Sequence, residues 1–521
     1  MKKSWNKPHF TLHPKKTILT ACFLAILNMQ AYALPSDNIK ATPPYRLKST
    51  KATLVNVSGL TPAQVLTAYN FSSISSQGQG ITIAIVDAYD DPNAESDLNA
   101  FSSNFNLPAC TTANGCFKKI YANGTQPAGS TGWGIEISLD IQWAHAIAPQ
   151  AKIMLVEANS NSFTDLFKAI NVAVQNGATI VSLSWGSNEF ANETGYDSNF
   201  NLPNVTFTAA SGDSGHGVWY PASSPFVIGV GGTTLKVNVD GSYLGETAWS
   251  GSGGGISVYE PQPSYQSNFN LPNNPSSLRG EPDVSYNADP NTGFAIYDTY
   301  GYGGWLVIGG TSAGSPQWAA LIARAQSSVT TPLVGINSLL YTIAKSNYST
   351  NFYDITTGSN GSCGVLCNAG TSYDYVTGLG SPQAAALVAT MTGSTPPPPP
   401  PPPPSQDPAK QLQNDFHTTR LGKYATCSAT ANLVTCNVPS STIAISSTRP
   451  DSDLNTLVAQ SITTIQSDVI AVNPVAYAKL TCTLLSGSMQ IINPSNNPAQ
   501  KYAVYTALCT DGLPFPTSKK Y

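Results

Sequence analysis

Ser312 is the residue of this sequence best placed to act as a nucleophile. It follows a Gly-Gly-Thr turn in the stretch GGTSAGSPQWAAL, residues 309–321, where small residues and Pro316 lead into an apolar run. This pattern predicts a serine at the entry to a buried helix. A serine hydroxyl is a weak nucleophile until a neighbouring base takes its proton, so another part of the chain must supply that base.

Histidine, the usual partner of such a serine, is scarce in this chain. Once a targeting segment is removed, only His145, His216 and His417 remain, and no HGTHV-like segment follows the first predicted strand. The helix predicted after that strand carries two acids instead, Glu136 and Asp140, and their i, i+4 spacing places both on one helical face. Such pairs often lie on a solvated surface, but the stretch GWGIEISLDIQWAHAIAP contains no other acid.

A carboxylate can replace histidine as the base at acidic pH. Glu136 would take the proton of Ser312 and return it to the leaving amine, and Asp140 would orient Glu136. A third acid, Asp213 in AASGDSG, is either an ordinary turn former or a protonated carboxylic acid that donates a hydrogen bond to an oxyanion. Because Glu136 must be ionised and Asp213 protonated, we expect a bell-shaped pH profile with its maximum at roughly pH 3 to 5.

The surrounding sequence supplies the elements that must position these residues. Apolar strand segments (GITIAIVDAY, AKIMLVEA, TIVSLSWG, VTFTAASGDSG and FVIGVGGTTL) are interspersed with helical ones, the amphipathic IEISLDIQWAHAIA and FTDLFKAINVAVQNGA. Such a pattern predicts an α/β fold with a parallel sheet flanked by helices. Sites in such sheets lie at the carboxyl ends of the strands, and Asp87, Trp185 and Asp213 fall at or just beyond such ends.

The composition and the N-terminal segment limit the class of protein to which this chain can belong. The chain has 521 residues, 41% of them hydrophobic and 10% charged, with a formal net charge of -4. It has no basic block beyond the N-terminus, so nothing indicates nucleic-acid binding. A basic region, a short apolar run and the small-residue site Ala31-Tyr32-Ala33 predict a signal peptide rather than a membrane anchor. We therefore expect a secreted protein, extracellular or periplasmic, that is monomeric and has no stable membrane insertion.

A run of nine prolines, residues 396–404, divides the chain. It predicts an extended polyproline spacer, roughly 28 Å long at 3.1 Å per residue. The predicted organisation is a signal peptide (residues 1–33), a short N-terminal arm (34–59), a catalytic domain (60–392), a proline-rich linker (393–404) and a small C-terminal domain of unknown role (405–521).

Eight cysteines remain after removal of the signal peptide, an even number that favours disulfides in an exported protein. They fall in locally paired order: Cys110/Cys116, Cys363/Cys367, Cys427/Cys436 and Cys482/Cys509. Nearest-neighbour pairing is one of several connectivities that the sequence allows. Zinc binding is the competing interpretation, and it is disfavoured because no histidine is close in sequence to either short-spaced pair.

The motifs together resemble the sedolisins, the serine-carboxyl peptidases, from about residue 60 to residue 382. The resemblance rests on LTPAQVLTAYNF, EISLD, SLSWGSNE, SGDSG, SGSGGGISVYEPQPSYQ, RGEPDVSYNADPNTG, GGTSAGSPQWAAL and TGLGSP, which occur in this order. It implies a subtilisin-like fold and a secreted peptidase that hydrolyses protein or peptide substrates.

The resemblance also implies a role for each matching residue. Ser312 matches the nucleophile, Glu136 the base, Asp140 the orienting acid and Asp213 the oxyanion-hole aspartate. The stretch SGGG matches a substrate-binding strand that pairs with peptide backbone; its residues are Ser252, Gly253, Gly254 and Gly255. Asp87 and Trp185 match, more loosely, a network around the triad.

A structural calcium site is implied in the same way. Two carboxylates and several backbone carbonyls form a hard oxygen site of the kind that Ca²⁺ prefers. The matching positions are Asp354, Ile355, Gly370, Ser372 and Asp374. The alternative is that the two aspartates are ordinary turn acids.

The chain departs from the family pattern in one important respect. Sedolisin zymogens carry a long folded prodomain, whereas only about 26 residues separate Ala33 from the LTPAQ motif, so the route of activation is open. Two rival functions are a Ser-His-Asp subtilase that uses His145 or His216, and a binding or adhesin-like protein built on an inactive peptidase scaffold. Cleavage of a peptide at acidic pH distinguishes them.

Overall fold

The computed structural model describes residues 1, 39–49, 51–53 and 57–394, together with the backbone of five strands between residues 426 and 510. The chain divides into two compact units, Met1–Pro397 and Pro398–Tyr521. The proline run and nearly all of the predicted signal peptide lie outside the described residues. In the part of the chain that is described, no helix has the length and apolar character needed to cross a bilayer.

The first unit combines helices and strands throughout its length. Its helices are α1 (Pro62–Ala68), α2 (Ala94–Asn104), α3 (Thr131–Ile147), α4 (Phe163–Gln175), α5 (Ser264–Phe269), α6 (Gly314–Gln326), α7 (Ile336–Asn351) and α8 (Ala384–Thr392). Its strands are β1 (Arg46–Leu47), β2 (Thr82–Ala88), β3 (Phe117–Tyr121), β4 (Lys152–Ala158), β5 (Ile180–Leu183), β6 (Ser187–Asn188), β7 (Thr206–Ala210), β8 (Trp219–Tyr220), β9 (Val227–Val237), β10 (Tyr243–Ala248), β11 (Gly255–Pro261), β12 (Leu278–Glu281), β13 (Val284–Asn287), β14 (Phe294–Asp298), β15 (Gly304–Gly309), β16 (Phe352–Tyr353) and β17 (Ser381–Pro382).

An eight-stranded sheet forms the centre of this unit. Its strand order is β10-β9-β7-β5-β2-β4-β3, and β13 also pairs with β9. Every pairing is parallel except that of β10 with β9. The predicted α/β class with a parallel sheet is confirmed, and each strand and helix segment predicted from apolar runs is present.

The two faces of the sheet bury two different sets of apolar side chains. Along β2, Ile83 and Ile85 belong to one core, whereas Ala84 and Val86 belong to the other. This alternation follows from the two-residue period of a strand. Helices α3 and α6 contribute to the first core and α4 to the second, so the sheet is covered by helices on both sides.

The prediction that the helix carrying Glu136 and Asp140 is amphipathic is wrong. Every residue from Trp133 to Ile147 in α3 is buried. The reason is that α3 packs against α2, α6, β2 and β14, which leaves it no solvent face. Its two acids are therefore part of the interior.

The second unit is described as backbone strands only. They are β18 (Thr426–Thr430), β19 (Leu433–Ser446), β20 (Thr481–Leu484), β21 (Gln490–Ile492) and β22 (Gln500–Thr510), and their pairings are antiparallel. Its four cysteines occupy facing register positions, with Cys427 opposite Cys436, Cys436 opposite Cys509 and Cys482 opposite Cys509. The predicted disulfides of this unit concern side chains outside the described set and stay predictions.

Candidate active site

Ser312 lies in the turn between β15 and α6. A short 3-10 segment, Thr311–Ala313, joins the strand to the helix, and Ser312 is fully buried within it. Gly310 precedes this segment with φ of +110°, a conformation that favours glycine. A β-carbon at Gly310 would stand 2.3 Å from the Pro44 carbonyl oxygen and 2.6 Å from Asp213 Oδ2. The sequence therefore needs a glycine here, next to its candidate nucleophile.

Glu136 and Asp140 lie one turn apart on α3, and both are 0% exposed. This burial excludes the interpretation of the pair as a solvated surface. Asp87, at the carboxyl end of β2, is equally buried. None of these three carboxyl groups has a hydrogen bond of normal geometry to another described residue, which is a costly arrangement for buried polar groups.

Burial is the main cause of the raised pKa values in this cluster. It raises the pKa of Glu136 well above its usual range, and the charge of Asp87 raises it further, whereas the nearby Ser312 hydroxyl lowers it. Burial and then Glu136 raise the pKa of Asp140, and burial and then Asp140 raise the pKa of Asp87. Each of the three carboxyls thus raises the pKa of another, because neighbouring like charges do not ionise together at low cost.

Asp213 lies in the loop after β7 and faces the turn that contains Ser312. Its Oδ1 accepts hydrogen bonds from the Thr311 amide at 2.8 Å and from Thr311 Oγ1 at 2.9 Å. Its Oδ2 is buried and has no partner in the described part of the chain. Burial raises the pKa of Asp213 to about 7, and the Thr311 bonds and Arg46 oppose that rise. The free oxygen is thus the one that would carry a proton below neutral pH.

Two neighbouring residues at the end of β5 support the cluster. Ser184 Oγ donates to the carbonyl of Ser312 at 3.2 Å, and its hydroxyl lowers the pKa of Asp140 against the dominant effects of burial and Glu136. Sequence reasoning missed Ser184, although a small polar residue at the end of a parallel strand is the available signal. Trp185 Nε1 donates to the carbonyl of Val86 at 2.7 Å, so it holds the backbone beside Asp87.

The histidines stand apart from Ser312. His145 is buried, its Nε2 lies 2.7 Å from the Pro108 carbonyl, and burial lowers its pKa. His216 is exposed, and His417 lies outside the described residues. Neither of the histidines that the structure describes forms a hydrogen bond with Ser312 Oγ, whereas Glu136 of α3 is close enough for the Ser312 hydroxyl to lower its pKa.

The SGGG stretch packs against other backbone segments. Ser252 Oγ accepts from the Gly232 amide at 2.8 Å, and the Gly253 amide donates to the Gly212 carbonyl at 2.7 Å. A β-carbon at Gly254 would meet the Tyr375 carbonyl oxygen at 2.1 Å. Gly255, whose β-carbon would stand 3.2 Å from His216 Nε2, begins β11. These close approaches give the glycines a packing role; the predicted role in binding substrate backbone stays a prediction.

Four of the five candidate calcium residues are linked by hydrogen bonds, Asp354 to Ser372 and Asp374 to Gly370. Asp354 Oδ1 accepts from the Ser372 amide at 3.0 Å and from the Tyr348 hydroxyl at 3.1 Å. Asp374 accepts from the Gly370 amide at 3.2 Å and from Thr377.

Both carboxyls at this position have raised pKa values. Burial raises the pKa of Asp354, and it raises that of Asp374 to about 6. Neither aspartate forms an ion pair with a described residue. Asp354 is exposed and Asp374 is buried, and two carboxylates without a positive partner fit the oxygen chemistry of Ca²⁺.

Two predicted disulfides are confirmed, Cys110–Cys116 and Cys363–Cys367. The fold brings His145 close to the first pair and His216 close to the second, which the separation of these residues in sequence conceals. The sulfurs are bonded to each other, so these histidines do not complete zinc sites in this structure.

Comparison with known proteins finds similarity over the first unit. The profile of the subtilase family matches residues 78–340. Kumamolisin from Bacillus sp. (strain MN-32) is 34% identical over 369 residues, which is 64% of this chain and 64% of that protein. Sedolisin from Pseudomonas sp. (strain 101) is 32% identical over 367 residues, which is 64% of this chain and 61% of that protein.

A solved structure is also similar to this chain. It is Pseudomonas sedolisin, described as a serine-carboxyl proteinase complexed with two molecules of pseudo-iodotyrostatin. Its TM-score is 0.58 at 31% sequence identity, and the match covers 65% of this chain and 99% of that chain. This chain spans less than two thirds of the length of the two relatives, at 64% of kumamolisin and 61% of sedolisin.

Proposed function

We propose that this chain, which belongs to the subtilase family and is of the sedolisin type, is a secreted endopeptidase that hydrolyses peptide bonds at acidic pH. One observation carries the proposal. Buried Ser312 adjoins a cluster of buried, unpaired carboxyl groups, and no described histidine forms a hydrogen bond with it.

In the proposed reaction, Glu136 is the general base and Asp140 orients it. Ser312 Oγ attacks the peptide carbonyl carbon while Glu136 takes the hydroxyl proton, and Glu136 then passes that proton to the leaving amine. Water, activated by Glu136 in turn, releases the acyl group from Ser312. The loose contact between Glu136 and Ser312 is compatible with this role, because catalytic hydrogen bonds tighten in the substrate complex.

Asp213 supplies the oxyanion donor in this proposal. The bonds from Thr311 to its Oδ1 leave Oδ2 free to hold a proton. A protonated Oδ2 and the Ser312 amide donate to the negative oxygen of the tetrahedral intermediate, and such donors are worth about 3–4 kcal/mol each in the transition state. This arrangement requires pH values below the pKa of Asp213, about 7.

Ca²⁺ has a structural role in the proposal. Asp354 and Asp374 would hold it together with the carbonyls of Ile355, Gly370 and Ser372. When bound, the ion supplies positive charge between two carboxylates that lack a cationic partner, and it thereby stabilises the segment that follows α7.

The test is cleavage of an internally quenched peptide between roughly pH 3 and 7. The wild-type chain, freed of its signal segment, should cleave the peptide, and Ser312→Ala should not. An inactive scaffold predicts no cleavage by either protein. A histidine-dependent subtilase predicts instead that His145→Ala or His216→Ala abolishes activity and that Glu136→Gln retains it.

A further inference from the structure

A histidine and two cysteines meet at the surface of the first unit. One side-chain ligand atom from each of His216, Cys363 and Cys367 lies within 4.8 Å of the other two. His216 and Cys363 are exposed, and Cys367 is buried. The spacing of the cysteines, C-x₃-C, falls within the range that zinc sites use, and thiolate and imidazole are common ligands of Zn²⁺. The two sulfurs form a disulfide, so metal binding has to begin with its reduction.

Backbone hydrogen bonds hold these three residues together in addition to the disulfide. The His216 amide donates to the Asn360 carbonyl at 2.9 Å, and the Asn360 amide donates to the Cys367 carbonyl at 3.0 Å. The Cys367 amide donates to the Gly364 carbonyl at 3.0 Å, which closes the turn between the two cysteines. Reduction breaks the bond between the sulfurs and none of these backbone bonds, so the three ligand atoms stay close to one another.

Glycines allow the histidine and the cysteines to approach closely. A β-carbon at Gly361 would stand 2.8 Å from Cys367 Sγ and 3.2 Å from His216 Cβ, so a larger residue at this position would push the two side chains apart. A β-carbon at Gly255 would stand 3.2 Å from His216 Nε2. An ion held by His216 and the two sulfurs therefore lies near the start of β11, where the SGGG stretch ends.

A second group of this kind among the described residues is closed to solvent. It consists of Cys110, Cys116 and His145, and both Cys110 and His145 are 0% exposed. A reductant and an ion reach the exposed side chains of Cys363 and His216 directly, whereas access to Cys110 requires local opening of the structure. The exposed group is therefore the better candidate for a metal site.

We propose that reduction of the Cys363–Cys367 disulfide creates a Zn²⁺ site, in which both cysteine sulfurs and a ring nitrogen of His216 bind the ion. A thiol reductant supplies two electrons and two protons: two of its molecules join as a disulfide while Cys363 and Cys367 become thiols. The ion then displaces both thiol protons, and a water molecule completes the four ligands. The site uses neither Ser312 nor the carboxyl cluster, so the proposal is independent of the proposed function.

The ion joins parts of the chain that the disulfide leaves unconnected. The two cysteines are separated by 4 positions, whereas His216 is distant from both in sequence and lies in the loop that contains Asp213. A cross-link between distant positions removes more conformational entropy from the unfolded chain than a local one does. An ion that binds only the folded state also stabilises that state by mass action. The reduced protein should therefore melt at a higher temperature with Zn²⁺ than without it.

The experiment measures how fast iodoacetamide alkylates each cysteine at neutral pH. The full chain without its signal segment is reduced with a phosphine, separated from the reductant in the absence of oxygen, and alkylated with or without added Zn²⁺ at constant Ca²⁺. Mass spectrometry of its peptides then gives the alkylation rate at each cysteine. At a Zn²⁺ concentration about a hundred times Kd, alkylation of Cys363 and Cys367 should slow roughly a hundredfold, because only the metal-free site reacts.

Two substitutions of the histidine test its part in the site. His216→Ala keeps both cysteines and removes the third ligand, so the protection by Zn²⁺ should be lost. His216→Cys supplies another thiolate at the same position and should restore it. Melting temperatures measured before reduction show that each variant is folded, as expected for an exposed position. Cys110 and Cys116 are the internal reference, since their alkylation should be the same in wild type and in both variants.

Three results would overturn the zinc site. The first is an equal rate of alkylation of Cys363 and Cys367 with and without Zn²⁺. The second is equal protection in wild type and His216→Ala, which would show that the cysteines bind the ion without the histidine. The third is a failure of excess phosphine to make Cys363 and Cys367 reactive, since the site cannot form while the disulfide persists. None of these results bears on peptide cleavage, which is assayed separately with the oxidised chain.

Discussion

Two groups of buried ionisable side chains in the first unit are hydrogen-bonded to very different degrees. Around Asp283, Oδ1 accepts from Arg279 at 3.1 Å and from Tyr341 at 2.9 Å, and Oδ2 accepts from Arg279 at 2.7 Å and from the Gly229 amide at 2.9 Å. Around Glu136 and Asp140, no carboxyl oxygen has a described partner of normal geometry. All four of these charged residues are 0% exposed.

The contrast indicates what each group is for. The Arg279–Asp283 pair is neutralised and hydrogen-bonded, as a buried pair must be if it is to hold strands and helices in place. The carboxyls of α3 bear the cost of burial without that compensation. Unsatisfied groups of this kind are expected at functional sites, where substrate atoms complete the arrangement.

Removal of the base should have the largest effect. Glu136→Gln cannot accept the serine proton, so kcat/KM should fall roughly 10⁴-fold or more, while the melting temperature stays at or above that of wild type because a buried acid becomes a neutral amide. The control is His216→Ala, which alters an exposed residue and should retain most of the activity. An active Glu136→Gln would refute the carboxylate base.

Disruption of the Arg279–Asp283 pair should lower the free energy of unfolding and leave the catalytic rate unchanged. Asp283→Asn leaves the guanidinium of Arg279 buried without its counter-charge, which costs about 3–5 kcal/mol of unfolding free energy. Chemical denaturation measures this loss. At a temperature where the variant is folded, its kcat should be close to that of wild type. A large loss of kcat with unchanged stability would contradict a purely structural role for the Arg279–Asp283 pair.

Calcium removal should have an intermediate effect. An ion that binds only the folded state stabilises it by about 2.7 kcal/mol at a hundredfold excess over Kd. A chelator should therefore lower the melting temperature of wild type. Asp354→Ala should already have the lower value and show no further response to chelation. Identical wild-type curves with and without chelator, after long equilibration, would contradict a stabilising site.

The smallest expected effect concerns a third set of buried acids. Burial and neighbouring acids raise the pKa of Glu193 and of Glu260 to about 9. Between the ordinary carboxyl pKa of about 4 and this value, the folded state binds more protons than the unfolded chain, so stability is greatest below that window and falls as pH rises through it. Melting temperatures measured across this range should decline, and less steeply in Glu260→Gln. A decline of the same slope in both proteins would show that Glu260 does not contribute.

Much of this arrangement could be predicted from the sequence, because its signals are local. Apolar runs predicted the strands of the central sheet, and the i, i+4 spacing of Glu136 and Asp140 predicted their common face. The burial of α3 was missed, because two acids in a helix indicate a solvent face when its packing partners are unknown. The contact between Pro44 and Ser312 joins positions far apart in sequence, and no periodicity or spacing encodes it.

The most direct test of the central claim, that carboxyl groups perform the acid–base work of this site, is the pH dependence of kcat/KM for wild type and Asp213→Asn. Asp213 has to be protonated to donate, so wild-type activity should be present at acidic pH and be lost as pH rises through about 7, the pKa to which burial raises Asp213. The amide of Asp213→Asn donates at every pH, so its remaining activity should lose this alkaline limb. A wild-type optimum near pH 8 (about the range of a histidine base), with the same alkaline limb in Asp213→Asn, would contradict the account.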